Sequence, residues 1–272
     1  MEKFDVIFCV VTYKNYNDLT EFIDSLNNNN INFSYKIIVV NNFADEASLN
    51  SIKELCTSQN CDFIENENNG YSHGNNLGIE YAQLNYSFEY LIVCNPDTTI
   101  KQFDFNNLKG QEKKIIAPEI ICLNGKRQNP MYYKYMPLSE KIVYLGYKNR
   151  KKHLLLLGLL FNKVTKFLHT FLFDKSKKNN KKIYACHGSY IIFSHYAIDR
   201  LFPVFDEGIF LFCEESDLAM KAKEKDIDII FNKDIIVYHK EDGSMSLSSK
   251  NLNEIQRKSY LYYYEKWHKI IE

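Results

Sequence analysis

Carboxylates and imidazoles that close apolar runs are the residues of this sequence best placed to do chemistry. Asn95-Pro96-Asp97-Thr98 directly follows the run YLIVC at 90–94. One Asp beside an amide oxygen can hold a hard divalent cation that keeps several waters and takes substrate phosphates as further ligands. The same four residues also make a good turn. Cys213-Glu214-Glu215-Ser216-Asp217 follows Ile209-Phe210-Leu211-Phe212. A helix macrodipole favours acids in its first turn, which would explain the run without catalysis. Its apolar approach also suits a carboxyl with a raised pKa acting as a general base. His239 ends the run DIIVYH and could ligate a metal through neutral imidazole, or serve the fold alone. His187, before Gly188, has a similar, weaker pattern.

The segment NENNGYSHGNNLG at 66–78 combines glycines, which permit close backbone approach, with amides suited to a base or a sugar. It contains neither GxGxxG nor GxxxxGK[ST], so two common phosphate-binding loops are excluded. A flexible Asn-rich loop is the plainer reading, since residues 27–30 are also all Asn.

These residues need elements to position them. Apolar runs at 5–11, 35–40, 61–64, 90–94 and 114–117 read as strands. Between them, Leu19, Phe22, Ile23 and Leu26 fall at helical spacing behind a cap at Asn17 or Asp18. Leu49, Ile52 and Leu55 mark a second helix, and Leu77, Tyr81 and Leu84 a third after a polar loop at 65–76. Alternating strands and helices predict a parallel, doubly wound α/β sheet with helices on both faces. Ligands of such sheets bind beyond the carboxyl ends of the strands, which singles out Thr12, Asn41, Asn42 and Asp97. The pattern lapses at about 120–182. It returns with 184–193, a helix near 195–201, strands at 227–231 and 235–238, and a C-terminal helix within 253–271. The expected division is 1–118, a variable insertion at 119–183, a second half at 184–250, and a terminal helix at 251–272.

Residues 148–182 carry Lys148, Arg150, Lys151, Lys152, Lys163, Lys166, Lys175, Lys177, Lys178, Lys181 and Lys182 against one acid, Asp174. Within them Leu154, Leu157, Phe161, Val164, Phe167, Leu168 and Phe171 recur at helical spacing. Such a helix can lie in a membrane interface with its lysines on anionic headgroups. A core helix between solvated lysines is the alternative.

Composition bounds the rest. The chain has 272 residues, with 34 Lys+Arg against 34 Asp+Glu, so global charge gives no argument for a nucleic-acid partner, and none is expected. Apolar residues make up 45%, enough for a large core and too many for general disorder. The seven cysteines form no CxxC pair, which points to reduced thiols and a cytoplasmic setting. The opening MEKFDVIFCVVTYKN reads as a first strand rather than a signal peptide. The longest apolar run, 154–161, is well short of the ~20 residues that span a bilayer.

Taken in order, the motifs resemble the family 2 glycosyltransferases with a GT-A fold, especially the rhamnosyltransferase-like branch of bacteria. VVTYKN matches that family's opening, and IIVVNNFADE its "VVDNxSxD" turn, with Asn41 in place of the usual Asp. NENNGYSHGNNLGIEYA is similar to its "N-x-G-(4 residues)-N-x-G-(3 residues)-A" segment. LIVCNPDTTI matches the "LNPD" version of the metal-binding DxD. HGSYIIFSHYAIDRL, FDEGIFLFCEESDLAMKAKE and VYHKEDGSMS follow the acceptor-side and catalytic segments in order.

The resemblance implies a GT-A type sheet, mostly parallel and Rossmann-like, with a basic amphipathic helical insertion. It implies inverting transfer of a sugar from a nucleotide-diphosphate sugar, a dTDP- or UDP-sugar with dTDP-rhamnose among them. The acceptor is then a hydroxyl of a glycan or lipid-linked glycan in surface polysaccharide synthesis. It puts Thr12, Asn41, Asn42, Asn69, Gly70, Asn76 and Asn95 around the donor. Asp97 and His239 fall on Mn²⁺ or Mg²⁺, and Glu215 on the base, where the family usually has Asp. The basic helix then makes the protein peripheral on the inner face of the plasma membrane. The processive-synthase motif Q/R-x-x-R-W is absent, since Tyr-Glu-Lys precedes the only Trp, Trp267. Two rivals remain. A nucleotidyltransferase would carry a Gly-rich basic loop where Thr12-Tyr13-Lys14-Asn15-Tyr16 stands. An inactive nucleotide-sugar-binding or scaffold subunit would fit the Asp-to-Glu change.

Overall fold

A computed structural model describes residues 1–29, 31–174, 180–241 and 249–268. Lys175, Lys177, Lys178 and the stretch after Glu241 that closes the VYHKEDGSMS motif lie outside them. In chain order the elements are β1 (Glu2–Thr12), α1 (Tyr16–Asn28), β2 (Tyr35–Asn42), α2 (Glu46–Ser58), β3 (Asp62–Asn66) and α3 (Tyr71–Asn85). Next come β4 (Tyr86–Cys94), β5 (Thr98–Gln102), β6 (Ile115–Cys122), α4 (Pro137–Lys148) and α5 (Lys152–Asp174). The last are β7 (Lys181–Ile183), β8 (Tyr190–Ser194), α6 (His195–Leu201), α7 (Glu214–Glu224), β9 (Ile229–His239) and α8 (Ser249–His268).

One nine-stranded sheet runs in the order β3-β2-β1-β4-β8-β6-β9-β5, with β7 beside β9. The first four strands are mutually parallel, as the strand–helix alternation demands. Beyond β4 the sheet is mixed. The pairs β4–β8, β6–β8 and β5–β9 are antiparallel, while β6–β9 is parallel. Strands from before and after the insertion therefore interleave in a single sheet.

Alternation along β1 builds both cores at once. Val6, Phe8 and Val10 pack with α1 and α2 on one face. Ile7, Cys9 and Val11 pack with α3, α6 and α7 on the other. Burial on both faces is why this strand reads as an unbroken apolar run. All seven cysteines are free, and burial pushes the Cys9 thiol up to about 12.

Several expectations shift. The helix after β1 starts at Tyr16 with Asn15 at the cap position, and Asp18 sits inside the first turn accepting from Asn15 Nδ2 at 3.1 Å. The polar stretch at 65–76 is half helix, because α3 begins at Tyr71. Residues 184–189 precede β8 rather than belong to it. The runs at 227–231 and 235–238 form one strand, β9, whose polar interruption faces a register shift in β6. The short strand β5, with its Thr-Thr-Ile-Lys-Gln sequence, carries too little apolar signal to be foreseen.

The 120–182 gap holds two helices that pack together: Ser139 Oγ of α4 lies 3.2 Å from Gly158 O and 2.6 Å from Asn162 Oδ1 of α5. By length and composition, 152–171 of α5 is long and apolar enough to cross a membrane, with mean hydropathy 1.3. Judging by the longest unbroken run missed this, because isolated Lys and Thr residues interrupt the apolar stripe.

Candidate active site

The carboxyl ends of β1, β2 and β4 open onto a cavity of about 540 Å³. Thr12, Asn42, Gly70, Asn95, Asp97, Glu215 and His239 all line it. Parallel pairing aligns these strand ends, with Thr12 opposite Asn41 and Asn42 opposite Asn66.

Asp97 and His239 meet because β5 runs antiparallel to β9. Thr98 pairs with His239, and Lys240 donates its backbone N–H to Asp97 O at 3.1 Å. Asp97 Oδ2 then lies 3.3 Å from His239 Nε2, with the residues only 4% and 6% exposed. His239 Nδ1 is 2.8 Å from Gln128 Oε1. A carboxylate oxygen and an imidazole nitrogen converging at the wall of a cavity form a donor set suited to a divalent cation. Among the described residues no group of three or more His, Cys, Asp and Glu gathers in this way. The pair therefore fits an ion whose other ligands are waters or substrate phosphates, not a closed protein cage.

The acidic run divides into three. Phe212 and Cys213 take left-handed φ of 71° and 75°, turning the chain sharply into α7. Glu215 faces the cavity, and its Oε1 accepts from Gly188 N–H at 3.1 Å. Glu214 is buried; burial, reinforced by the Glu215 charge, pushes its carboxyl up to about 8. Asp217 is buried too, accepting from Lys266 Nζ at 2.6 Å and Trp267 Nε1 at 2.7 Å, so it anchors α8.

On the other wall, Thr12 Oγ1 donates to Asn41 Oδ1 at 3.0 Å, and Asn66 Nδ2 to Asn42 Oδ1 at 2.8 Å. Gly70 has φ +99°, and a Cβ there would sit 2.7 Å from Phe210 O. Tyr71 N–H donates to that same carbonyl at 3.0 Å, which docks Phe210, Leu211 and Phe212 along the cavity.

Asn41, Asn69 and Asn76 are not among the lining residues. Asn41 is buried behind Thr12. Asn76 Nδ2 donates to Phe205 O at 2.8 Å and Glu207 Oε1 at 3.0 Å, while its Oδ1 accepts from Phe205 N–H at 3.0 Å. Its amide is used to hold the 205–207 strap on α3.

Sequence reasoning missed Tyr71, Gln128 and Glu241, which all line the cavity. Tyr71 OH lies 3.1 Å from both Asn95 Oδ1 and Gly188 O. Its place directly after Asn69-Gly70 was a usable signal. Gln128 had none, since it belongs to an irregular segment without periodicity. His187, whose pattern was weak, lines the cavity with its ring centre 5.7 Å from that of His239.

A mixed sheet with nucleotide-binding topology in its first half and a carboxylate beyond the fourth strand defines a GT-A type fold. Residues 7–202 match the family described as glycosyl transferase family 2, and the chain belongs to that family. Two curated relatives are each 24% identical. The low-salt glycan biosynthesis hexosyltransferase Agl10 of Haloferax volcanii aligns over 83% of this chain and 64% of its own length. The rhamnosyltransferase WbbL of Escherichia coli K12 aligns over 79% and 76%. The chain thus spans somewhat less than two thirds of Agl10. Among solved structures, GalNAc-T7 with UDP, GalNAc and Mn²⁺ superposes with a TM-score of 0.65 at 12% identity, covering 98% of this chain and 49% of that one. Residues 1–349 of Staphylococcus aureus TarS with UDP superpose with a TM-score of 0.56 at 14% identity, covering 98% and 67%.

Proposed function

We propose that the protein is an inverting glycosyltransferase that moves a sugar from a nucleotide-diphosphate donor, a dTDP- or UDP-sugar, to a hydroxyl of a lipid-linked glycan. The observation that carries this reading is that Asp97, His239 and Glu215 line one cavity at the strand ends. The relatives' descriptions as a hexosyltransferase and a rhamnosyltransferase, and the UDP and Mn²⁺ in the solved neighbours, support it.

Asp97 and His239 would hold Mn²⁺ or Mg²⁺, which when bound supplies a Lewis acid for the charge on the leaving diphosphate. Thr12, Asn42, Gly70 and Asn95 shape the donor side. Glu215, held by the Gly188 N–H, takes the proton from the acceptor hydroxyl. The freed oxygen attacks the anomeric carbon from the face opposite the diphosphate. The C–O bond to phosphate breaks with its electron pair leaving on oxygen, and the configuration inverts.

The acceptor class rests on α5. Leu156, Leu159, Leu160 and Phe167 on it are each more than half exposed, and Lys151, Lys152 and Lys163 are exposed beside them. Because α4 packs along this helix, lying in an interface suits it better than spanning, with the protein peripheral on the cytoplasmic face.

The test is a thermal-shift and transfer panel of nucleoside diphosphates and nucleotide sugars, with and without Mn²⁺ or Mg²⁺. Native-state binding raises the apparent stability by mass action. A cation-dependent shift with UDP or dTDP, followed by transfer or donor hydrolysis, is expected, and D97A should lose both. Binding without any turnover would instead make the chain an inactive nucleotide-sugar-binding subunit.

A further inference from the structure

Beside the Asp97–His239 pair, along the same cavity, runs a second pair of polar side chains. Glu241 Oε1 lies 2.7 Å from Gln128 Nε2, and Gln128 Oε1 lies 2.8 Å from His239 Nδ1. A carboxylate has no proton to give, so the end of the Gln128 amide facing Glu241 has to be its NH₂. The end facing the imidazole is then a carbonyl oxygen, which only accepts. Nδ1 of His239 must therefore carry a proton, and in the neutral ring Nε2 carries none. Nε2 is the nitrogen 3.3 Å from Asp97 Oδ2, a second acceptor, and the shorter 2.8 Å contact at Nδ1 gives that side of the neutral ring the stronger claim on its one proton.

We propose that Glu241 and Gln128 form an orienting relay that locks His239 as its Nδ1–H tautomer and so reserves Nε2 as a donor atom beside Asp97. The relay rests on the metal reading above for its purpose, though its geometry stands apart from it. Gln128 is itself held firmly. It is 6% exposed, its N–H donates to Ile120 O at 3.0 Å, and its carbonyl is 3.5 Å from Lys166 Nζ of α5. Glu241 reaches it from the residue after Lys240, at a left-handed φ of 62°. Contacts from β6, from α5 and from Glu241 thus all fix Gln128, the one residue that touches Nδ1. A side chain that merely filled space at position 128 would need neither the amide nor the acid behind it. Gln128 and Glu241 are positioning residues, acting through His239.

Two readouts separate the relay from the metal reading. Long-range ¹H–¹⁵N spectra of ¹⁵N-histidine protein, at pH 8 without added metal, report which nitrogen of each ring is protonated. H239Q assigns the signal. Mn²⁺ titration followed by electron paramagnetic resonance reports affinity for the ion alone. Wild type should show His239 as Nδ1–H. Q128L should yield a mixed or Nε2–H pattern and bind Mn²⁺ ~10–100-fold more weakly, the range typical for losing such an outer partner. E241A should move both in the same direction. E241Q can present either an oxygen or an NH₂ to the Gln128 amide, so it should fall between wild type and E241A in both readouts.

A proton on Nε2 in wild type overturns the relay. So does an unchanged tautomer and affinity in Q128L with its thermal transition intact. Wild type that shows the Nδ1–H ring but binds no Mn²⁺ leaves the relay standing and removes the metal from the proposed function.

Discussion

Neighbouring acids on one helical turn are easily confused in sequence, and here they differ in what surrounds them. Glu215 faces the cavity, Glu214 faces the interior with one carboxyl oxygen lacking a hydrogen-bond partner, and Asp217 is committed to Lys266 and Trp267. Burial and the Glu215 charge favour the protonated form of Glu214, so an amide is a close mimic of it. E214Q should therefore keep turnover within a few-fold, whereas E215Q should lower kcat by about 10²–10⁴, the usual contribution of a general base. Steady-state kinetics on both variants decides it. Loss of activity in E214Q with E215Q unimpaired would exchange their roles. The spacing of the run narrowed the candidate base to two neighbouring carboxyls. Only the αL turn at Phe212 and Cys213 brings Glu215 rather than Glu214 to the cavity, and no periodicity announces such a turn.

At the scale of elements, α8 is fastened to α4 through tyrosines and one buried acid. Tyr263 OH donates to Glu140 Oε1 at 2.9 Å, and Tyr260 OH donates to the Glu140 backbone oxygen at 3.2 Å. Burial raises the Glu140 carboxyl from 4.5 to about 7. A raised acid favours the folded state fully below its unfolded value. That contribution is lost as pH climbs from about 4.5 to about 7, because the unfolded chain gives up its proton first. E140Q has no such proton to lose. Its stability relative to wild type should rise across that window, by at most ~3.5 kcal/mol at about 1.36 kcal/mol per pKa unit. Urea unfolding at pH 5 and pH 8 measures this, and a pH-independent difference would refute the assignment. The existence of α8 was legible from its length. Its partners were not, because a Tyr-rich helix with charges on every side names no buried face.

The whole molecule presents one long apolar helix whose outer side nothing covers among the described residues. Leu156 is 67% exposed and Phe167 72%. The lysines do not all serve that side. Lys166 turns inward toward Gln128 O, and Lys148 bonds Tyr144 OH at 3.1 Å, while Lys151, Lys152 and Lys163 stay exposed. Wild type should sediment with vesicles rich in anionic lipid and be released by salt, since exposed charges are screened. K151E/K152E/K163E should bind several-fold less. Salt-insensitive or absent binding by wild type would remove the membrane surface as a partner.

Taken by itself, the sequence determined the parallel half-sheet, the buried strand ends and the family. Those are written locally: a strand buried on both faces must be continuously apolar. Tertiary structure decided which polar residues share the cavity. Asp97 and His239 are far apart in the chain and meet only through the antiparallel β5–β9 pairing, while Asn76, within the NENNGYSHGNNLGIEYA segment, is turned inward to hold a strap. Side-chain direction and long-range strand pairing are set by packing the whole chain at once, and no short window of residues contains that information.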